Sequence, residues 1–396
     1  MPGLQLRISL GHSRLVAAGA LLCATAACND GTTTSPTSVE DDLEASVAAR
    51  SAEREQGVGA VFVSTNAAAG NAVVAFRRAA DGALSPIGTF PTGGRGIGGT
   101  ADPLESQFAL TLNPDRSLLF VVNAGSNDVS VFRVEAQGLE LVDRKPSLGT
   151  RPVSVAAGEH EVYVLNAGSN NVGIYNVERD GVLSQLGVEA LSGGAAGPAA
   201  IRLSRNGRTL AVTEQFSNTI DGFAVGQDGE LAAPVSAAAG ANGPFGFDYT
   251  PRGALVASDA TSGAVTSYAQ AANGRVSLLD GPVSTAGQAA PCWLIVDNGG
   301  RFAYTANAGG SSISGFSVSP DGTLTLITPG GRTGDLGTDA QPLDIDLSRD
   351  SRFLYILKNG TGTVGAFAVN RDGTLTGLAD TPGLVAQAGY MGLAAY

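Results

Sequence analysis

The chain has 396 residues, 43% of them hydrophobic, with 55 glycines, only two histidines and a formal net charge of −12. The acidic balance excludes a nucleic-acid groove built on clustered Lys and Arg. The scarcity of His and Cys excludes a Ser-His-Asp triad, a Cys-His dyad and a His-based metal site, and no cofactor is expected.

At the amino end, Arg7 and Arg14 flank an apolar stretch, residues 15–27, too short to cross a bilayer as a helix. It closes on Thr25-Ala26-Ala27-Cys28, which resembles a bacterial lipoprotein processing site. Residues 1–28 therefore read as a signal peptide with Cys28 as the lipid-bearing residue, plain secretion being the alternative. Residues 29–57 read as a polar, acid-rich tether. The expected location is the bacterial envelope: exported across the inner membrane, then periplasmic or anchored at the outer membrane through the lipid alone. Cys23 and Cys28 belong to the leader, so Cys292 has no disulfide partner and reads as a small buried hydrophobe.

From residue 58 onward the chain repeats a phrase. Asn123-Ala124-Gly125-Ser126-Asn127 leads into the alternating Val129-Ser130-Val131-Phe132, and Asn166 and Asn307 open equivalent copies. Glu214, Asp259 and Lys358 take the Asn place in three more, and the six starts lie 43 to 51 residues apart. That period is characteristic of propeller blades. Five of the six copies begin with a strand whose first residue is Pro (Pro152, Pro198, Pro244, Pro291, Pro342), a position that needs no ladder N–H. A polar hairpin, an apolar second strand and an alternating third strand follow. A turn such as Asp180-Gly181, Asp228-Gly229 or Asn273-Gly274 then enters the fourth, because both residues tolerate positive φ.

The two ends complete the pattern. Residues 59–65 and 72–76 with the turn Asp81-Gly82 supply strands two to four of a blade that lacks its first strand. The terminal Gly392-Leu393-Ala394-Ala395-Tyr396 reads as a lone first strand. Pairing them closes an all-β, seven-bladed propeller over residues 58–396 and hides the edges that an open array would expose. A monomer is the expected state. The glycine-rich run Gly93–Gly99 reads as a flexible loop over one end of the ring.

Chemistry is sparse. Asn123, Asn166 and Asn307 could form a ring of polar groups or simply satisfy strand-end turns. Glu214, Asp259 and Lys358, with Glu105, Arg151, Asp339 and Asp344 on the same rim, are expected to converge at the channel mouth. Trp293, the only Trp, either stacks on a ligand there or wedges between blades.

The repeat is similar to that of the seven-bladed β-propeller lactonases, a family that includes bacterial 6-phosphogluconolactonase-type enzymes and fungal carboxymuconate cyclase. In that family a Gly-Pro-Arg-His stretch opens one blade and Asn-Glu-Leu follows. The Glu, Arg and His there act on the lactone. The matching stretch here is Gly197-Pro198-Ala199-Ala200-Ile201, followed by Thr213-Glu214-Gln215. Ala replaces both Arg and His, and Gln215 falls on the family Glu. The resemblance implies hydrolysis of a sugar lactone. On this reading Glu214 is the general base, Arg151 or Lys358 stabilises the oxyanion, and Gln215, Asp259, Trp293, Asp344 and the three Asn line the substrate site. The alternative is a non-catalytic propeller that holds a small sugar-like ligand or an envelope protein.

Overall fold

A computed structural model describes residues 59–194 and 196–396; the expected leader and tether, with Cys28, lie outside the described residues. Strands account for every regular element described, and they form seven antiparallel sheets. Blade 4 is representative. Pro198–Leu203 is innermost, then Thr209–Glu214, Thr219–Ala224 and the outermost Val235–Ala238. In blades 6 and 7 the outermost strand is divided into two short pieces, Leu324–Leu326 with Gly334–Asp335 and Leu375–Gly377 with Thr381–Pro382. The innermost strands touch one another around the whole circle.

Closure is as the two ends imply. Met391–Ala395 is the innermost strand of blade 1 and pairs antiparallel with Gly59–Ser64, Val61 facing Ala395 and Val63 facing Leu393. The Tyr396 amide donates to the Ala60 carbonyl. The edge strands at the two ends of the array thus satisfy each other.

The blades are also fastened to one another by repeated devices. Tyr163 donates its hydroxyl to the Gly229 carbonyl of the next blade at 2.9 Å, Tyr304 does the same to Gly373, and Tyr355 to Gly82 across the closure. These carbonyls belong to the Asp-Gly turns. Gly82 and Gly373 have φ of +89° and +83°, and a Cβ on either would collide with Phe353 or Phe302 of the preceding blade. Only Gly meets both demands, so this turn motif is an inter-blade joint as well as a hairpin.

The channel is not open. Leu104–Ala109, leading into blade 2, runs through its middle. The Gln107 amide donates to the Leu294 carbonyl (2.9 Å) and accepts from the Leu294 N–H (3.1 Å) in blade 6. Its own N–H reaches Ala199 of blade 4, and Phe108 bonds Val155 of blade 3 and Asp344 of blade 7. Blade 5 contributes space: a Cβ on Gly246 would lie 2.0 Å from Oε1 of the Gln107 side chain. This plug separates two mouths, one on each rim.

Candidate active-site cleft

The rim that carries the Asn-Ala-Gly loops holds a cleft of about 230 Å³ between the plug and blades 3 and 4. Glu105, Arg151, Asn170, Gln215 and Phe216 line it, with Gly197 and Pro198 as its wall. Arg151 Nη2 lies 3.7 Å from Glu105 Oε2 and donates to the Pro103 carbonyl at 3.3 Å. Glu105 and Arg151 both sit in the left-handed region, φ +53° and +51°. That conformation costs a side-chain-bearing residue of order 1–3 kcal/mol and tends to persist at working sites. Phe216 is exposed and lies over Gly197, whose φ is +58° and whose absent Cβ makes the room.

Of the residues singled out in the sequence, Arg151 and Gln215 line this cleft, and Glu105 completes it. The expected convergence of Glu214, Asp259 and Lys358 does not form. Each is buried and bonded within its own blade. Glu214 is fully buried. Its Oε2 accepts from Ser217 (2.8 Å) and Thr219 (2.7 Å), while Oε1 has no partner. Burial pushes its carboxyl up, and neighbouring Asp221 adds to the rise. Asp259 accepts from Thr266 at 2.5 Å and burial pushes it up to about 7. Lys358 pairs with Asp380 at 2.5 Å.

The physical reason is a register rule. In blades 2 to 7 the last residue of the second strand faces, on the same side of the sheet, a residue seven positions later on the third strand. Asn123 bonds Ser130 at 2.8 Å, Asn307 bonds Ser314 at 2.9 Å, and Asp259 takes Thr266. Glu214 faces Asp221, whose two oxygens accept from the N–H and hydroxyl of Ser192. Gly173 and Gly365 stand in this place in blades 3 and 7. Asn166 there donates to the Ser147 carbonyl instead, and the Lys358 stem would touch a Cβ on Gly365. These side chains therefore staple strands rather than face the channel. The partner residues had a sequence signal, the seven-residue offset to Ser, Thr, Asp or Gly.

Trp293 and Asp344 belong to the plug's seat. Trp293 is buried, donates Nε1–H to the Ser106 carbonyl at 2.9 Å and meets Phe245 edge-on at 5.6 Å between ring centres. Asp344 accepts from the Phe108 and Leu393 amides, and burial pushes it up to about 7. Asp102, on the approach to the plug, is also pushed up to about 7 by burial and then by Glu105. Cys292 is partly buried, and burial pushes its thiol up to about 12, so the thiolate is scarce at neutral pH. The Gly93–Gly99 run is packed rather than loose. Gly94 accepts from Asn71, Gly96 and Gly98 donate to Ala67 and Asn66, and a Cβ on Gly96 would fall 2.1 Å from Asn66 backbone. Among the described residues no cluster of His, Cys, Asp or Glu could hold a metal ion.

A closed ring of four-stranded blades, with a small polar cleft on one rim beside its plugged axis, defines a seven-bladed β-propeller. The profile of the family described as "Lactonase, 7-bladed beta-propeller" matches residues 68–196 and 188–285, and the chain belongs to that family. It is 23% identical over 275 residues to a 6-phosphogluconolactonase of Serratia proteamaculans, covering 65% of this chain and 79% of that one. A 6-phosphogluconolactonase of Pectobacterium carotovorum is 24% identical over 273 residues, 66% and 81% of the two chains. The fold also matches the periplasmic gluconolactonase of Pseudomonas aeruginosa with a TM-score of 0.67 at 19% identity, over 85% of this chain and 99% of that one. A protein from Lactobacillus plantarum matches with a TM-score of 0.70 and the same identity and coverage.

Proposed function

We propose that the protein hydrolyses a small sugar lactone in the cleft between the plug and blades 3 and 4. The observation that carries this reading is the Glu105–Arg151 pair, a carboxylate and a guanidinium 3.7 Å apart beside Pro198 and Gln215. Water deprotonated by Glu105 adds to the lactone carbonyl, and Arg151 balances the oxyanion that develops. The ring C–O bond then breaks, and the departing alkoxide takes up a proton to leave the hydroxy acid. Gln215 and Asn170 offer amides to the sugar hydroxyls, and the exposed face of Phe216 covers the ring. Glu214, sealed inside blade 4, takes a structural role in this scheme. The volume suits one ring rather than a polymer. The leader and the periplasmic relative support a place in the cell envelope for this activity.

A second reading, a non-catalytic propeller that holds a sugar-like ligand or an envelope protein, is favoured by one fact. The resemblance aligns the family's Arg and His with Ala199 and Ala200, and both alanines are fully buried. Acid release from a panel of aldonolactones, with and without phosphate, separates the two. Turnover should fall about 100-fold or more in Arg151→Ala, the usual cost of removing an oxyanion partner. Turnover that survives Arg151→Ala and Glu105→Gln unchanged removes the assignment, and a panel with no turnover at all leaves the binding scaffold.

A further inference from the structure

The rim opposite the cleft carries the larger cavity, about 1050 Å³, reaching from the hairpins between first and second strands up to Phe108 on the underside of the plug. In a chain with net charge −12, its wall gathers arginines: Arg116, Arg202, Arg205 and Arg208. Arg202 lies over the Phe108 ring, 4.0 Å from its centre, and Arg202 and Arg205 both approach Asp248, at 3.3 and 3.8 Å. Arg205 also donates to the Asn298 side chain, which donates in turn to the Arg349 carbonyl, so Asn298 ties Arg205 to the hairpin of Arg349.

Arg116 is the informative member. The hairpins of blades 2, 4, 5, 6 and 7 share one turn geometry, and its fourth residue lies in the left-handed region. That residue is Gly207, Gly253 and Gly300 in three of them, with φ of +70°, +89° and +64°, but Ser351 in blade 7, with φ +54°, and Arg116 in blade 2, with φ +65°. A side chain there costs about 1–2 kcal/mol relative to glycine. Arg116 accepts this strain half-buried, its guanidinium bonded only to the carbonyl of Pro114. Burial and the like charges of Arg349 and Arg205 pull its pKa below the ordinary value, against Asp346 and Asp115. The guanidiniums thus gather at one side of the cavity, where a bidentate donor fork suits a phosphate or carboxylate group.

We propose that this second cavity is an anion-binding site, in which Arg116 and Arg205, with Arg349 beside them, hold the phosphate or carboxylate of a small organic molecule on the side of the plug away from the lactone cleft. The acidic hairpin of blade 3, Glu159 and Glu161, borders the same cavity and disfavours a ligand charged all around. The anionic group is thereby directed to the blade 2 and blade 4 side.

Titration calorimetry of the full chain with glycerol phosphate and, separately, glycerate, each charged at one end only, tests the site and tells phosphate from carboxylate chemistry. The expected result is saturable binding of at least one probe, weakened at least about tenfold in Arg116→Gly and in Arg205→Ala. Arg116→Gly installs the residue of the sister hairpins, so folding is preserved, and lactone turnover serves as an independent check that the ring is intact. Binding of neither probe overturns the proposal. So does binding that both variants retain, or binding of a long polyanion alone.

Discussion

The two rims of this ring handle charge in opposite ways. On the cleft rim the ionisable residues at the strand ends are withdrawn into the blades, where Glu214, Asp259 and Lys358 each have local partners. Only Glu105 and Arg151, carried by the strand-connecting loops, reach the cleft. On the hairpin rim the charges stand on turns and face a common cavity. The difference follows from where strands and turns place side chains. A residue at the end of a central strand is flanked by neighbours on both sides of its sheet, whereas a hairpin tip projects beyond the sheet. In a propeller, then, the repeated slot is where structure is held, and the irregular connection is where chemistry is to be sought.

The sharpest way to break that contrast is to loosen what separates the two mouths. Trp293→Ala removes a buried ring and its bond to Ser106, and should cost about 3–5 kcal/mol in chemical denaturation. A loss below 1 kcal/mol would mean that the plug is not seated through this contact.

Next in size is a pH effect confined to the withdrawn acids. Burial raises the Asp259 carboxyl from 3.8 to about 7 in the folded chain. Between those values the folded state binds more protons than the unfolded one. Stability therefore falls as pH rises through this window and is level below it. Asp259→Asn should flatten the slope and exceed wild type at pH 8 by on the order of a few kcal/mol, with equal stability near pH 4. Thermal melts across that range decide it, and an unchanged slope refutes it.

The smallest effect concerns catalysis. Glu214→Gln keeps the shape and should leave lactone turnover within about twofold, because the group is closed off from the cleft. A large loss would return Glu214 to the role that the sequence suggested for it.

Seven blades, the closing strand and the strand-end repeats were legible in the chain because turn chemistry and period are local properties. The destination of the repeated Asn, Glu, Asp and Lys was not. Their appearance near one rim suggests convergence, and only the pairing of each second strand with its third shows the residue seven positions on that each one meets. Arg151 was readable by rim position, and Gln215 through the alignment with the family Glu. Glu105 was readable only as a rim charge, since nothing local reveals that residues 104–109 enter the axis. The hairpin-rim arginines were invisible for the same reason: each lies in an ordinary polar turn, and their common cavity is a property of the closed circle.

The segment through the axis has a further consequence. In a linear array of repeats, stability is a sum of units and nearest-neighbour contacts, so one end can fray while the other stays intact. Here a single hexapeptide, Leu104–Ala109, is bonded to blades 3, 4, 6 and 7 at once, like a hub gripping several spokes. Weakening any one of those blades is felt at the hub and passed to the others, so the whole wheel should melt as one cooperative unit.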